Sequence, residues 1–287
     1  MDDPEAYKRR VRRQWDEVAA RWHRWTPVMR AQYAPATQLM LDLAHLRPGD
    51  RVLDIAAGDG YQSIAAARRV GPTGHVLAID LAPEQLKRAA AAAREAGIAQ
   101  IETRVMDAEY LNLEDGSFEA VICQFGLMFL PDVDRGLAEI RRVLKPGGSA
   151  SMVIFAAGGL PESELVASII RDRLGGENPA PERLTGASLG APGAFKHRLE
   201  RAGFRPVESQ ELSVPLRLPS TADALRYLRE THPTLDEMMV PLTADQRGEV
   251  WREVEAALAR YVGPDGFESP NRVVVAAGRR PDEPTAG

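Results

Sequence analysis

The chain has 287 residues, of which 44% are hydrophobic and 27% charged, an ordinary composition for a globular protein. Its formal net charge of −5 argues against nucleic acid as a partner, because phosphate binding requires a dominant basic surface. The single cysteine, Cys123, excludes an internal disulfide and a cysteine-based zinc site, and no histidine pair has metal spacing, so no metal is expected. The longest apolar stretch, 120–130, is too short to cross a bilayer, and no apolar run follows the basic N-terminus. We therefore expect a cytoplasmic protein without stable membrane insertion.

Residues 1–45 are predicted to form an N-terminal helical lid. Four apolar side chains recur there at a spacing of about 3.5 residues, which places them on one helical face: Trp15, Val18, Trp22 and Trp25. Such a face is too apolar to remain in water, so it should close over a binding crevice. A homodimer interface and a membrane-surface anchor remain alternatives for the same stripe.

Residues 46–156 are predicted to form the core of an α/β fold. Short apolar runs rich in β-branched residues alternate there with helical segments, a pattern typical of a parallel sheet built by right-handed crossovers. The predicted strands are 51–55, 75–79, 101–105, 120–123 and 150–155, and the predicted helices are 62–70, 83–96 and 133–143. The sequence therefore indicates a doubly wound, Rossmann-like sheet.

The remaining segments are predicted to complete this core and to cover it with a mostly helical cap. Gly and Pro are frequent in 157–193, which favours a loop around one short helix. The predicted order is a cap loop at 157–193, a core helix and sixth strand at 194–217, a helical cap insertion at 218–268, a last core strand at 269–279 and a disordered tail at 280–287.

The turn after the first strand reads VLDIAAGDG and contains Asp54, Ala56, Gly58 and Gly60. Small residues at a strand-to-helix turn allow backbone N–H groups to approach a ligand directly. A glycine pair after a strand is common, so this turn is a weak signal by itself.

Acidic residues at the ends of the next two strands strengthen the signal. Asp80 ends the second predicted strand, where a carboxylate can accept from both ribose hydroxyls, and Asp107 follows the third, where it can accept from an adenine amine. Because the carboxyl ends of parallel strands meet at one edge of the sheet, Asp54, Asp80 and Asp107 should line one crevice.

The turn resembles motif I of the class I S-adenosylmethionine-dependent methyltransferases, D/E-x-G-x-G-x-G, with Ala56 in place of the first glycine. The segments SFEAVICQFGLMFLPD and RRVLKPGG are similar to later motifs of that family, and their combination is close to its quinone and secondary-metabolite group. The resemblance implies a seven-stranded sheet and S-adenosyl-L-methionine as cofactor. It also implies four sets of cofactor contacts. The turn residues contact the cofactor: Asp54, Ala56, Gly58 and Gly60. Asp80 binds the ribose beside Leu81, Asp107 and the Ala108 backbone bind the adenine, and Gln124 lies near the methionyl end.

The expected activity is methyl transfer to a small, largely apolar or aromatic molecule, with the O, N or C acceptor atom left open. Apolar residues of the fourth motif favour such an acceptor: Phe125, Leu127, Met128 and Phe129. One alternative is a Rossmann-type NAD(P)-dependent oxidoreductase, which the missing third glycine of G-x-G-x-x-G disfavours. The other is a non-catalytic S-adenosylmethionine-binding protein, which the methyl group of Ala56 leaves open.

Catalytic groups are weakly indicated. The sulfonium already activates the methyl group, so alignment and exclusion of water are the main requirements. Tyr33 and His23 are candidate catalytic residues because both belong to the predicted lid, and His232 is a further residue of the cap that could face the acceptor.

Overall fold

The computed structural model describes residues 3–176 and 187–282. Its main sheet has seven strands in the order β3-β2-β1-β4-β5-β10-β6. These strands are β1 Arg51–Ile55, β2 His75–Asp80, β3 Ile101–Val105, β4 Phe118–Gln124, β5 Leu144–Phe155, β6 Val207–Ser213 and β10 Arg272–Arg279.

The first five strands pair in parallel, and β10 pairs antiparallel with both β5 and β6. This order confirms the predicted doubly wound α/β fold with seven strands. The chain runs outward from β1 to β3 and then returns to β4 on the other side of β1. A crevice therefore opens where the order reverses, at the carboxyl ends of β1 and β4.

Helices cover both faces of this sheet, and two apolar clusters form the core on its opposite sides. The helices are α1 Pro4–Leu43, α2 Tyr61–Val70, α3 Pro83–Glu95, α4 Val133–Val143, α5 Pro161–Arg173, α6 Ala187–Gly190, α7 Ala194–Arg201, α8 Thr221–Thr231, α9 Pro233–Met238 and α10 Ala244–Leu258. Within the described ranges, no helix is both long and apolar enough to cross a membrane.

The N-terminal helix α1 has two parts with different surroundings. Its C-terminal part belongs to the core, where Ala36, Met40 and Leu41 are fully buried. Its N-terminal part extends over the crevice. Pro27 and Pro35 lie inside the helix on its exposed side, where water can bond the carbonyl groups that each proline leaves without a partner.

The cap differs from the sequence-based prediction in two places. The segment 157–193 contains the thirteen-residue helix α5, and its residues 177–186 lie outside the described part. The insertion 218–268 is not wholly helical, because it contributes to a three-stranded antiparallel sheet of β7 Leu216–Leu218, β9 Gly266–Ser269 and β8 Val262–Gly263. Buried Phe267 anchors this small sheet against the cap helices, a tertiary contact that no local pattern signalled.

The predicted disordered tail begins too early. Arg280 donates hydrogen bonds to the carbonyl oxygens of Arg141, Arg142 and Leu144, the last at 2.6 Å. These carbonyls lie at the end of α4, where a cation is favoured by the helix dipole. The rest of the predicted tail, from 283 onward, lies outside the described residues.

Candidate active site

One cavity of about 620 Å³ occupies the crevice at the carboxyl ends of the strands. Its floor is the turn after β1 with the ends of β2 and β4, and its roof is the N-terminal part of α1. The far wall comes from α5, α8 and α9. The cavity therefore joins the edge predicted to hold a nucleotide to a chamber under the cap.

The stripe on α1 faces this cavity. Trp15 and Trp22 line it, with their rings 5.1 Å apart edge to face, and Trp15 also packs against Phe129 at 5.5 Å. Val18 and Trp25 are buried beside them. The apolar face thus lies inward, with Trp15 and Trp22 at the cavity, and the lid itself stays a prediction.

The turn after β1 approaches the cavity with its backbone. Ala56 and Gly58 line the cavity, and both have positive φ, 56° and 55°. Ala56 is therefore in a left-handed conformation that glycine would adopt at lower cost. Gly60 does not reach the cavity, because it packs against α3, where an added Cβ would lie 2.8 Å from that of Ala89.

Asp54 is fully buried behind this turn and does not line the cavity. Its carboxylate accepts hydrogen bonds from the Ser63 hydroxyl and from Nε2 of Gln62, the latter at 3.4 Å. Burial raises the pKa of Asp54 to about 7, although both hydrogen bonds oppose the shift. Asp54 therefore fixes the turn from behind, and its contact with the cofactor stays a prediction.

Asp80 lies at the cavity wall with Leu81 and Ala108. Its carboxylate accepts from the backbone N–H groups of Gly58 at 3.0 Å and Ala82 at 2.8 Å. Burial raises the pKa of Asp80, and the two backbone hydrogen bonds counteract that effect. These bonds orient the carboxylate, and each oxygen keeps a lone pair for another donor.

Asp107 forms an ion pair with a lysine of α1. Its Oδ2 lies 2.6 Å from Nζ of Lys8, while its Oδ1 accepts from the N–H of Glu109 at 2.8 Å. Lys8 also pairs with the carboxylate of Glu109 at 2.6 Å, and its own side chain is only 7% exposed. Asp107 is not among the residues that line the cavity, and its contact with the adenine stays a prediction.

Lys8 remains charged despite its position. Burial lowers its pKa, but the hydrogen bonds to Asp107 and Glu109 outweigh that effect and raise the pKa above its usual range. Lys8 lies one heptad before Trp15 and therefore on the same helical face. This periodicity is the sequence signal that could have identified Lys8 as a residue near the site.

Aromatic rings form the chamber beside the end of β4. Phe125 stacks on Phe155 with centroids 4.4 Å apart, and Tyr33 meets Phe125 edge to face at 4.7 Å. Phe125 has φ 61°, a strained value for a bulky residue, which directs its ring into this group. Gln124 lines the same region, and its Oε1 accepts from the Thr37 hydroxyl at 2.8 Å.

The two predicted catalytic residues lie in different surroundings. Tyr33 lines the chamber, and burial raises its pKa well above the usual value, so its phenol can donate a hydrogen bond but cannot serve as a base near pH 7. His23 is exposed on α1 and does not line the cavity, so the structure does not bring it to the site. His232 does line the cavity, next to Tyr227.

Several buried polar atoms at the cavity have no hydrogen-bond partner within the described residues. They are Nε2 of Gln14, Nε of Arg30, Oε1 of Gln85 and Oγ of Ser163. Buried polar groups are usually satisfied, so water or a bound ligand must supply partners for these atoms. Sequence reasoning missed them because they belong to helices α1, α3 and α5, whose polar positions resemble ordinary solvated faces.

Within ranges 3–176 and 187–282, no group of three or more His, Cys, Asp or Glu is arranged to hold a metal ion. Cys123 is fully buried on β4, and burial raises its pKa to about 12, so it packs as a small apolar residue.

The sheet order and the strand-end crevice define the architecture of class I methyltransferases, and the comparisons agree. Residues 52–148 match the family described as "Methyltransferase domain". Nocamycin O-methyltransferase of Saccharothrix syringae is 33% identical over 203 residues, covering 67% of this chain and 72% of that protein. The chain therefore belongs to the S-adenosylmethionine-dependent methyltransferases, as the motifs predicted.

Two further proteins are similar over different shares of this chain. UbiE of Ralstonia pickettii, a ubiquinone/menaquinone biosynthesis C-methyltransferase, is 40% identical over 113 residues, which cover 39% of this chain and 46% of that protein. The structure of the YcgJ protein from Bacillus subtilis superposes with a TM-score of 0.59 at 18% identity, covering 87% of this chain and all of that one. The first supports the resemblance to the quinone group, and the second supports the fold alone.

Proposed function

We propose that this chain binds S-adenosyl-L-methionine and transfers its methyl group to a small, largely apolar or aromatic acceptor. One observation carries the proposal. A single cavity joins the crevice at Asp80 to the aromatic chamber of Tyr33, Phe125 and Phe155. A cofactor and a flat apolar acceptor can therefore lie side by side without water between them.

The cofactor half is proposed from the groups that face the crevice. Asp80 accepts from the ribose hydroxyls, and the backbone at Ala56 and Gly58 contacts the methionyl part. The unpartnered Nε of Arg30 suits the methionyl carboxylate, because guanidinium and carboxylate form charge-assisted hydrogen bonds. Gln124, at the end of β4, lies where the methyl group would be presented.

The adenine end is proposed to lie against Leu81 and Ala108. Asp107 can still accept from the adenine amine, because each of its oxygens retains a lone pair beyond its bond to Lys8 or Glu109. The lid and the adenine would then share one carboxylate. Bound cofactor supplies the electrophilic methyl group, and the protein aligns the acceptor and excludes water.

Calorimetry tests the cofactor, and product formation tests the reaction. We expect S-adenosylhomocysteine to bind and NADH not to bind; binding of NADH alone would favour the oxidoreductase alternative. The next measurement follows formation of S-adenosylhomocysteine with a panel of aromatic acceptors. A protein that binds the cofactor but turns over no acceptor in the panel would favour the non-catalytic alternative.

A further inference from the structure

We propose that His232 is the general base for a hydroxyl-bearing acceptor, with its imidazole held by Thr231 so that Nε2 keeps a free lone pair. The inference rests on the proposed function, because it requires an acceptor in the aromatic chamber. It also narrows that function, since only acceptors that lose a proton on methylation need a base.

The position of His232 is fixed by the chain around it. It is the C-cap residue of α8 and the N-cap residue of α9, and Pro233 follows it directly. The proline ring restricts the backbone of the residue before it. The Tyr227 ring packs against the imidazole with centroids 5.7 Å apart, and both residues line the cavity. The ring therefore stands at the acceptor end of the cavity and is held on two sides.

The contacts of Thr231 support this tautomer. Its hydroxyl lies 2.7 Å from the carbonyl oxygen of Tyr227, to which it can donate, and 2.9 Å from Nδ1 of His232. A hydroxyl carries one proton. In the proposed arrangement the Tyr227 carbonyl receives that proton and Oγ1 accepts from Nδ1–H, which leaves Nε2 unprotonated.

The charge state agrees with this geometry. Burial lowers the pKa of His232 to about 4, so the ring is neutral near pH 7. A general base works best with a pKa near the working pH, so burial makes His232 a weak base, and the proposed proton transfer must be coupled to loss of the sulfonium charge. As the methyl group leaves, positive charge disappears from sulfur and appears on the imidazole, so the cavity never holds a second net charge.

The step balances in atoms and charge. The acceptor oxygen forms a bond to the methyl carbon while the bond from that carbon to the sulfonium sulfur breaks. The hydroxyl proton passes to Nε2 of His232. The products are the methyl ether, S-adenosylhomocysteine and the imidazolium form of His232, which returns its proton to water.

The first test reads the tautomer without any acceptor. Long-range ¹H–¹⁵N spectra at pH 7 should show His232 as the neutral Nδ1–H form, assigned by its loss in His232→Gln. Thr231→Val removes the oxygen that accepts from Nδ1 and should shift the ring toward the Nε2–H form. An Nε2–H form or an imidazolium in the unmodified protein would overturn the inference.

The second test measures methylation of para-substituted phenols of graded acidity. His232→Gln should lower turnover of 4-methoxyphenol about 100-fold, but should affect 4-nitrophenol much less, because this more acidic phenol is already partly ionised near neutral pH. The affinity for S-adenosylhomocysteine should not change. His197→Gln, an exposed histidine on α7 that is 72% accessible, is the matched control.

Each result separates the inference from the proposed function. An equal loss for both phenols would mean that His232 only packs, and unchanged turnover would mean that it has no role; either overturns the inference alone. If the unmodified protein binds S-adenosylhomocysteine but methylates no phenol, the hydroxyl acceptor is wrong while cofactor binding stands. Failure to bind S-adenosylhomocysteine would remove the proposed function itself.

Discussion

Nζ of Lys8, in the second turn of the first helix, lies 2.6 Å from Oδ2 of Asp107, two residues beyond the end of β3. This contact joins residues 99 positions apart in the chain. It ties the free end of α1 to the edge of the sheet, beside the cavity that the helix covers. The ion pair therefore holds this end of α1 over the cavity together with the tryptophan stripe.

Replacing Lys8 should weaken the fold at this end. In Lys8→Met, Asp107 and the buried Glu109 lose their common cation, so the free energy of unfolding in urea should fall by about 3 kcal/mol. Lys87→Met is the control, because Lys87 pairs with Glu84 on the exposed face of α3 and should matter little. Equal losses of stability in the two variants would contradict a stabilising role of the buried Lys8 ion pairs.

Asp80 should contribute directly to cofactor affinity. We expect Asp80→Ala to weaken binding of S-adenosylhomocysteine by about 1.5–3 kcal/mol in calorimetry, the range for hydrogen bonds to a charged group. Circular dichroism should show a retained fold. Asp265→Ala, an exposed carboxylate between β8 and β9, should bind normally. Normal affinity in Asp80→Ala would remove Asp80 from the site.

Asp54 should impose a pH dependence on stability. Its folded pKa is raised to about 7 by burial, whereas in the unfolded chain it titrates near pH 4. Between these values the folded state binds the additional proton, so stability falls as the pH rises through this window. Relative to Asp54→Asn, the unmodified protein should lose at most about 4 kcal/mol between pH 4 and 7.

Urea unfolding at several pH values measures this difference. Asp265→Asn, at an exposed carboxylate between β8 and β9, provides the control. Parallel profiles for Asp54→Asn and the unmodified protein would show that Asp54 titrates normally in the fold.

Ala56, in the turn after β1, should prevent position 126 from carrying a side chain larger than that of glycine. A Cβ at position 126 would lie 2.5 Å from that of Ala56 and 2.8 Å from Sγ of Cys123. Gly126→Ala should therefore reduce the free energy of unfolding by about 1–3 kcal/mol, as overpacking does. Adding Ala56→Gly should restore part of the loss, because one of the two clashes disappears.

A double-mutant cycle measured by urea unfolding gives the coupling between positions 56 and 126. Gly248→Ala, on α10 with open space around it, is the control and should stabilise its helix by about 1 kcal/mol. Strictly additive effects would mean that Ala56 and Gly126 do not compete for the same space.

The sequence by itself determined the sheet and the backbone of the crevice. Alternating apolar runs and helices predict parallel strands, because a strand buried on both faces needs a helical crossover. The small residues at Ala56 and Gly58 and the acid at Asp80 follow from local requirements of a turn and a strand end. The locations of these residues could be predicted without knowing which residues pack against them.

Only the tertiary structure decided which of the predicted side chains reach the cavity. Asp54 and Asp107 share the strand-end pattern of Asp80, yet the carboxylate of Asp54 is bound by Ser63 and that of Asp107 by Lys8. His23 and His232 were equivalent cap histidines until the fold exposed one and enclosed the other. Burial, charge pairing and tautomer depend on partners distant in the chain, and no local pattern contains them.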